Sequence, residues 1–511
     1  IHLYKIGILF QNRDFEHDVY ELIKAFYPGN EITSLYEEDE ADYDIRFRVS
    51  RDENGYTISF NNGIDKKAAC GAVPEGQSSG EASDALISCE ASHDLRRKNK
   101  DAIKYALYQM LSKVTGKTLP WGNLTGIRPV KMAMGMLEAG MKNTEIARYM
   151  REQYLVSPEK TALAVTIANR ERDILKNIDY ENGYSLYVGI PFCPSICLYC
   201  SFSSYPLAQW RKKVDDYLDA LIKEIHAVSE MMQGHKLDTV YIGGGTPTTL
   251  EPEQLERLLD ALTQAFPCDS LEEFTVEAGR PDSITMEKLQ TIRKYPVTRI
   301  SVNPQTMNQE TLDIIGRRHT VEQTKEAFYM AREAGFDNIN MDLIVGLPGE
   351  DITKVKHTLE EIRALDPDSL TVHSLAVKRA ARLNIFRDKY QEMTFENNQE
   401  ILDLTMKTAY EMGMGPYYLY RQKNMKGNFE NVGYSKVDKA GIYNILIMEE
   451  KQPIIALGAG GSSKLVVDHG QRIERVENVK DVTNYISRID EMIQRKQKGV
   501  QILEQHTEDK H

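Results

Sequence analysis

Cys193, Cys197 and Cys200 lie in one run, Val188-Gly-Ile-Pro-Phe-Cys-Pro-Ser-Ile-Cys-Leu-Tyr-Cys-Ser-Phe202. The C-x3-C-x2-C spacing offers three thiolates from a single short loop, and thiolates are the ligands of iron–sulfur clusters. A 4Fe-4S cube held by three cysteines keeps one iron open to a small molecule, which makes it a catalytic cluster rather than an electron wire. Zinc is a poorer fit, because no second C-x2-C and no H-x3-H follows. A disulfide within the triplet would strand one thiol, and 6 cysteines in 511 residues are far too few for a disulfide scaffold. Cys70, Cys89 and Cys268 are scattered and read as ordinary thiols.

A second feature is Gly243-Gly-Gly-Thr-Pro247. Three glycines let backbone amides and carbonyls approach a ligand where any side chain would intrude. The run has neither the Lys-Ser/Thr end of a P-loop nor a full dinucleotide fingerprint, so it is informative only by its place after the cysteine loop.

These residues need a scaffold. Strand-like runs at 186–192, 239–242, 273–278, 299–303, 339–345 and 370–375 alternate with helical ones, which predicts parallel β/α construction and a partial (βα)6 barrel. In such barrels chemistry collects at the carboxyl ends of the strands, where the cysteine loop, the glycine run, Glu277, Gln305 and Asp342 all fall. The class is therefore α/β, divided into a small α+β N-terminal domain at 1–95, a helical connector at 96–178, the barrel at 179–376 and an α+β C-terminal region at 377–511. Within the first, Lys5-Ile-Gly-Ile-Leu-Phe10 reads as a strand, 15–26 as a helix, and 43–49 and 56–60 as a hairpin around Asp52-Glu-Asn-Gly55. Helices are expected near 98–115, 127–140, 144–154 and 158–176. The C-terminal region reads as strands at 415–421, 441–448 and 453–457, a Gly458-Ala-Gly-Gly461 turn, a helix over 477–497 and a frayed polar end.

Composition narrows the class. Of the residues, 41% are hydrophobic and 27% charged, and no stretch approaches the ~20 apolar residues of a membrane span. A formal charge of -13 argues against nucleic acid as a partner, even though Asn143-Thr-Glu-Ile-Ala-Arg-Tyr-Met150 has helix-turn-helix character. The opening run lacks the basic start, apolar core and cleavage site of a secretory peptide, so a reducing cytoplasm is the expected home, with no membrane partner.

The cysteine triplet after Tyr187-Val-Gly-Ile-Pro-Phe192, followed by Gly-Gly-Gly-Thr-Pro, resembles the radical S-adenosylmethionine (radical SAM) superfamily. More closely, the chain resembles the oxygen-independent coproporphyrinogen III oxidase group with its HemN, HemW and HemZ branches. Cys197-Leu-Tyr-Cys-Ser-Phe-Ser-Ser-Tyr-Pro206, Leu124-Thr-Gly-Ile-Arg-Pro129 and Tyr417-Tyr-Leu-Tyr-Arg-Gln-Lys-Asn424 are most similar to the HemZ branch. The resemblance implies that Cys193, Cys197 and Cys200 hold the cube, with S-adenosylmethionine on its open iron. Tyr187, Gly244 and Glu277 match positions that hold this cofactor, Tyr187 and Glu277 being the candidate catalytic residues. Gly245, Thr246, Gln305, Arg317, Asp342 and Ala376 match contacts to a second S-adenosylmethionine, so one or two cofactor molecules are implied. Without the family, Glu277 and Asp342 read as barrel-end carboxylates and Arg317 as a salt-bridge partner.

The implied reaction is reductive cleavage of the cofactor to a 5'-deoxyadenosyl radical. That radical would take a hydrogen from a propionate β-carbon of coproporphyrinogen III, and loss of carbon dioxide and an electron would leave a vinyl group, giving protoporphyrinogen IX. The implied partners are this tetrapyrrole and a reducing donor such as flavodoxin or ferredoxin. Its carboxylates call for cationic clamps, for which Lys378-Arg-Ala-Ala-Arg382 and Arg421, Lys423 and Lys426 are candidates, while Tyr417, Tyr418 and Tyr420 could stack on a flat macrocycle.

The chain departs from both the oxidase type and the haem-chaperone type. The oxidase type has a further cysteine where this chain has Phe202 and a histidine where it has Gly189. The haem-chaperone type has His-Asn-x-x-Tyr-Trp where this chain has Glu430-Asn-Val-Gly-Tyr-Ser435. Three functions therefore stand open: the oxidase, a haem-binding chaperone, and a radical enzyme acting on haem or another tetrapyrrole.

Overall fold

The structure, a computed structural model, describes residues 3–37, 42–52, 55–62, 83–87, 93–126, 128–201, 204–376, 381–385, 397–422, 429–467, 470 and 472–508. Phe202, Lys378, Arg379, Lys423, Lys426, Cys70 and Cys89 lie outside them. The chain divides into two compact units, one of 1–166 with 426–429, the other of 167–425 with 430–511.

The first unit carries a five-stranded sheet ordered β2-β1-β3-β4-β5, from β1 (Lys5–Phe10), β2 (Glu31–Leu35), β3 (Ile45–Asp52), β4 (Gly55–Asn62) and β5 (Ser83–Ile87). β1 runs parallel to both neighbours, and β3 and β4 form the antiparallel hairpin expected around residue 53. Ile6, Ile8, Phe47 and Ile58 share one core with Val19, Leu22 and Ile23 of helix Glu16–Phe26 and with Ile103, Leu107 and Leu111 of helix His93–Thr115. Helices Pro129–Glu138, Asn143–Gln153 and Pro158–Leu175 follow.

In the second unit, β6 (Gly183–Ile190) leads into the short ribbon of β7 (Phe192–Cys193) and β8 (Tyr205–Pro206). Then β9 (Lys236–Gly244), β10 (Glu273–Gly279), β11 (Arg299–Val302), β12 (Ile339–Val345) and β13 (Ser369–Ser374) join β6 side by side, all parallel and in chain order. These six strands make the predicted partial barrel. They are buried almost without interruption, as strands covered on both faces must be.

The intervening helices follow from local sequence. Val214–Met231 buries Val214, Tyr217, Leu218, Leu221, Ile225 and Val228, a stripe at three- and four-residue spacing. Pro252–Ala265 opens on a proline with a Glu251/Gln254 capping box, and the Asp351 carboxylate accepts two N–H groups at the start of Ile352–Leu365.

The C-terminal region extends this sheet at both edges. β15 (Asn431–Ser435) adds to β13 antiparallel, and β14 (Gly415–Tyr420) pairs antiparallel with the outer side of β15. β16 (Ile454–Leu457) adds to the free side of β6 as a seventh parallel strand, followed by the antiparallel β17 (Ser462–Val467) and β18 (Arg472–Glu477). Two expectations fail here. Residues 442–449 form a helix rather than a strand, burying Tyr443, Ile445, Leu446 and Glu449; a short apolar run has no periodicity that separates the two. The helix expected over 477–497 is instead Val482–Ser487 and Ile489–Glu508, because β18 runs through Glu477.

Candidate active site

β6 ends at Ile190 and the chain turns straight into the cysteine loop. Gly245 N–H donates to Ile190 O (2.7 Å) and Thr246 N–H to Phe192 O (2.8 Å), while Leu198 N–H reaches Ile315 O (2.9 Å). The loop is thus clamped between the end of β9 and the turn that follows helix Gln309–Ile314. A Cβ on Gly245 would lie 2.6 Å from Phe192 O and 3.0 Å from Cys193 Sγ, and one on Gly243 would lie 2.9 Å from a Glu277 carboxylate oxygen. Gly244 has φ +108, open to glycine at little cost. The glycine run therefore lets β9 press against both the cysteine loop and Glu277.

No disulfide within the described residues joins any of the three cysteines, of which Cys193 and Cys197 are buried and Cys200 half-buried. Burial pushes the Cys193 thiol up to about 11, opposed by the Thr246 hydroxyl 3.6 Å from its sulfur. Such a sulfur ionises when a cation replaces its proton. Among the described residues no three His, Cys, Asp or Glu side chains converge as ligands of a single metal ion. A cube needs no such convergence, since each cysteine binds a different iron.

Donors ring the sulfurs. Arg280 Nη1 lies 3.7 Å from Cys197 Sγ, and the buried Arg317 guanidinium also hydrogen-bonds Cys197 while donating to the carbonyl of Asn303. The donor set suits an anionic iron–sulfur cluster. Thr246 and Arg317, matched by resemblance to a second cofactor, face the thiols of Cys193 and Cys197 in this chain.

Glu277 stands at the end of β10, accepting from the Tyr241 hydroxyl and the Gly244 N–H. Burial raises its carboxyl from 4.5 to about 7, against the Tyr241 bond and with added push from Asp342. The Tyr187 ring stacks on Tyr241 (centroids 6.2 Å, 15°) and on Tyr443 (6.5 Å, 23°), and Tyr241 stacks on Tyr443 (4.6 Å, 21°). Tyr443 comes from the helix read as a strand, which is why sequence reasoning missed it.

Asp342, on β12, accepts from Asn340 Nδ2 (2.7 Å) and faces His373 Nε2 (3.8 Å). Burial pushes its carboxyl up, but His373, Asn340 and Thr371 together hold it below the usual range. His373 Nδ1 lies 3.1 Å from the Tyr420 hydroxyl, forming an Asp342–His373–Tyr420 line across β12, β13 and β14. His373 was also missed; its alternation with Thr371 on β13 was the available signal.

Gln305 adopts a left-handed φ of +65, fixed by its N–H to Asp342 O and by Ile344 N–H to its own carbonyl, both 2.9 Å. Gln305 Oε1, Asn303 Oδ1 and Arg317 Nε are buried without a partner. Unsatisfied buried polar atoms and a strained residue on one rim suit a polar ligand there. Ala376 sits half-buried just past β13.

Of the substrate candidates, Arg421, Tyr417 and Tyr418 are buried, Tyr420 is half-buried beside His373, and Arg382 is exposed. Adjacent Tyr417 and Tyr418 are both enclosed because the β14–β15 register shifts between Pro416 and Tyr418.

Gly189 packs closely on the end of β16, where a Cβ on it would meet Leu457 O at 3.3 Å. A Cβ on Gly458, after β16, would come 2.5 Å from Gly189 O, and Tyr217 donates to that same carbonyl (2.6 Å). Behind this loop, buried Glu224 accepts from Gly458 N–H (2.8 Å), Asn478 Nδ2 (2.8 Å), the Tyr485 hydroxyl (2.6 Å) and Lys496 Nζ (2.5 Å).

A parallel partial barrel with a three-cysteine loop beyond its first strand and a Gly-Gly-Gly-Thr run beyond its second defines a radical SAM protein, and residues 187–362 match the profile of the Radical SAM superfamily. The oxygen-independent coproporphyrinogen-III oxidase-like protein HemZ of Bacillus subtilis (strain 168) is 40% identical over 416 residues, 81% of this chain and 83% of that protein. The chain belongs to this HemZ-type, coproporphyrinogen-III oxidase-like family. The heme chaperone HemW of the same organism is 40% identical over 38% of this chain and 51% of its own length. Among solved structures, the coproporphyrinogen III oxidase HemN of Escherichia coli, titled a radical SAM enzyme, aligns at 25% identity and a TM-score of 0.49, covering 63% of this chain and 73% of that one. Among the described residues no helix is long and apolar enough to cross a membrane.

Proposed function

We propose that this protein is a radical S-adenosylmethionine enzyme that oxidatively decarboxylates propionates of coproporphyrinogen III to vinyl groups, giving protoporphyrinogen IX without oxygen. The observation that carries the reading is the meeting of the cysteine loop, the glycine run and Glu277 at one end of the barrel, in a chain of the HemZ-type family. When bound, the 4Fe-4S cluster and S-adenosylmethionine supply a 5'-deoxyadenosyl radical by one-electron cleavage of the sulfonium.

The chain's own residues do the rest. Cys193, Cys197 and Cys200 hold the cluster. Glu277, Tyr187 and the backbone at Gly244 would hold the cofactor, the carboxylate offering an acceptor to its amino group. Gly245, Thr246, Gln305, Arg317, Asp342 and Ala376 form the rim for a second molecule. The stacked Tyr187, Tyr241 and Tyr443 rings fill the barrel interior with apolar surface and keep bulk water from it. Arg421 is the candidate clamp for a substrate carboxylate. Flavodoxin or ferredoxin is the proposed electron donor.

The test is anaerobic incubation of the cluster-loaded protein with reductant, S-adenosylmethionine and coproporphyrinogen III. Vinyl product together with 5'-deoxyadenosine supports the reading. A second reading, haem carriage, is favoured by the HemW similarity and by the Gly189 backbone lying under the Gly458 turn where the oxidase type has an imidazole. Stoichiometric haem uptake without cofactor cleavage would establish it. Cofactor cleavage with consumption of haem would point to another tetrapyrrole as substrate.

A further inference from the structure

We propose that Arg280 is a positioning residue that sets the reduction potential of the cluster, acting through Cys197 and Ser195, with Arg317 as a second cation behind the same thiolate. The inference rests on the reading that the three cysteines hold a cluster.

Arg280 follows Glu277 by three residues. Gly279, at φ +65, and the turn Pro281–Ser283 swing the chain so that the strand end serving the cofactor site with Glu277 sends the guanidinium behind the cysteine loop. That guanidinium is 4% exposed. Its Nη1 contacts Ser195 O (3.1 Å), Ser195 Oγ (2.8 Å) and Cys197 Sγ (3.7 Å). Its Nε and Nη2 clamp the Asp282 carboxylate at 2.9 and 2.6 Å, fixing the fork so that Nη1 must point at the loop.

The charges around Cys197 do not cancel. Arg280 and Arg317 are both buried, and Asp282 is the carboxylate set between Arg280 and His319. Burial, reinforced by Arg317, pushes His319 down to about 3 and keeps it neutral. Two cations and one anion leave one net positive charge in a low-dielectric shell against a cluster sulfur. A reduced cluster carries one more negative charge than an oxidised one, so N–H···S contacts and a buried cation favour the reduced form. The arrangement makes the cluster easier for a donor to reduce, at some cost in its driving force as a reductant. A salt bridge needed only to brace the loop would be satisfied by Asp282 and the Ser195 carbonyl; the contact to sulfur goes beyond that.

The test is an anaerobic, EPR-monitored redox titration of the cluster-loaded full chain, comparing wild type with R280Q and R280K. For R280Q, the reduced-to-oxidised ratio at the wild-type midpoint should fall about tenfold, equivalent to 59 mV for a one-electron couple. R280K keeps the charge but loses the fork and should fall between R280Q and wild type. R280Q with full iron content and an unmoved midpoint overturns the proposal. If R280Q does not load, R280K decides, a lowered midpoint supporting and an unchanged one refuting. If neither variant holds iron, Arg280 is an architectural staple and the proposal fails. Wild-type protein that takes up no cluster defeats the underlying reading instead, a result distinct from an unmoved midpoint.

Discussion

If Glu277 holds S-adenosylmethionine as proposed, its carboxyl ties cofactor affinity to pH in a way that can be worked out in advance. With burial holding it at about 7, roughly one carboxyl in eleven is ionised at pH 6 and one in two at pH 7. If only the carboxylate accepts from the cofactor's amino group, affinity for S-adenosylmethionine rises about fivefold over that interval, close to 1 kcal/mol. Equilibrium dialysis of the cluster-loaded protein reads it directly. Glu277→Gln removes the titrating group and flattens the dependence at the weak end. Tyr241→Phe removes a bond that lowers the Glu277 carboxyl, so its curve moves to higher pH. The same shift has a stability signature. Unfolded Glu277 loses its proton near 4.5, whereas the folded one keeps it to about 7, so folding stability declines as pH rises through this window by on the order of 3 kcal/mol and is level above it. A wild-type affinity equal at pH 6 and 7, or a slope that survives in Glu277→Gln, refutes the assignment.

Three further outcomes are expected. Cys197→Ala should abolish both the brown absorbance of iron-loaded protein and 5'-deoxyadenosine formation, measured by visible spectroscopy and chromatography. Gly245→Ala forces a methyl to within 2.6 Å of the Phe192 carbonyl, so the cysteine loop must shift, costing about 1–3 kcal/mol of overpacking and lowering the iron bound per chain. Glu224→Gln breaks the buried pair with Lys496 and should destabilise by about 3–5 kcal/mol, lowering the thermal midpoint by on the order of 10 °C. The double replacement Glu224→Leu with Lys496→Met should recover part of that loss, because neither charge is then left buried alone.

Much of the site was legible in the linear sequence because its chemistry demands local motifs. The three thiolates come from one short run, 193–200, and the glycine run is contiguous because one strand end approaches one loop. The barrel strands were legible because buried parallel strands are apolar runs between amphipathic helices. The partners that condition those groups were not. His373 and Asp342 meet because β12 and β13 lie side by side, and Tyr420 reaches His373 from β14, one strand further out beyond β15, while Arg280 looks like any charged loop residue until Gly279 turns it inward. Tyr443 was obscured by the helix–strand ambiguity of residues 442–449. Gly189 reads as a lost histidine, and the structure leaves that reading in place: a Cβ there would meet Leu457 O at 3.3 Å, a tight approach but not one that requires glycine.

β16 has a bearing on how this molecule is made. The strand that launches the cysteine loop is flanked on one side by β9, synthesised soon after it, and on the other by β16, synthesised only after the whole of the barrel. On the ribosome, β6 therefore carries an unprotected hydrogen-bonding edge until β16 in the C-terminal region emerges to pair with it, an aggregation hazard in the meantime. Trimming the tail to isolate a minimal catalytic fragment would recreate that raw edge permanently, so an excised barrel should associate or precipitate rather than work.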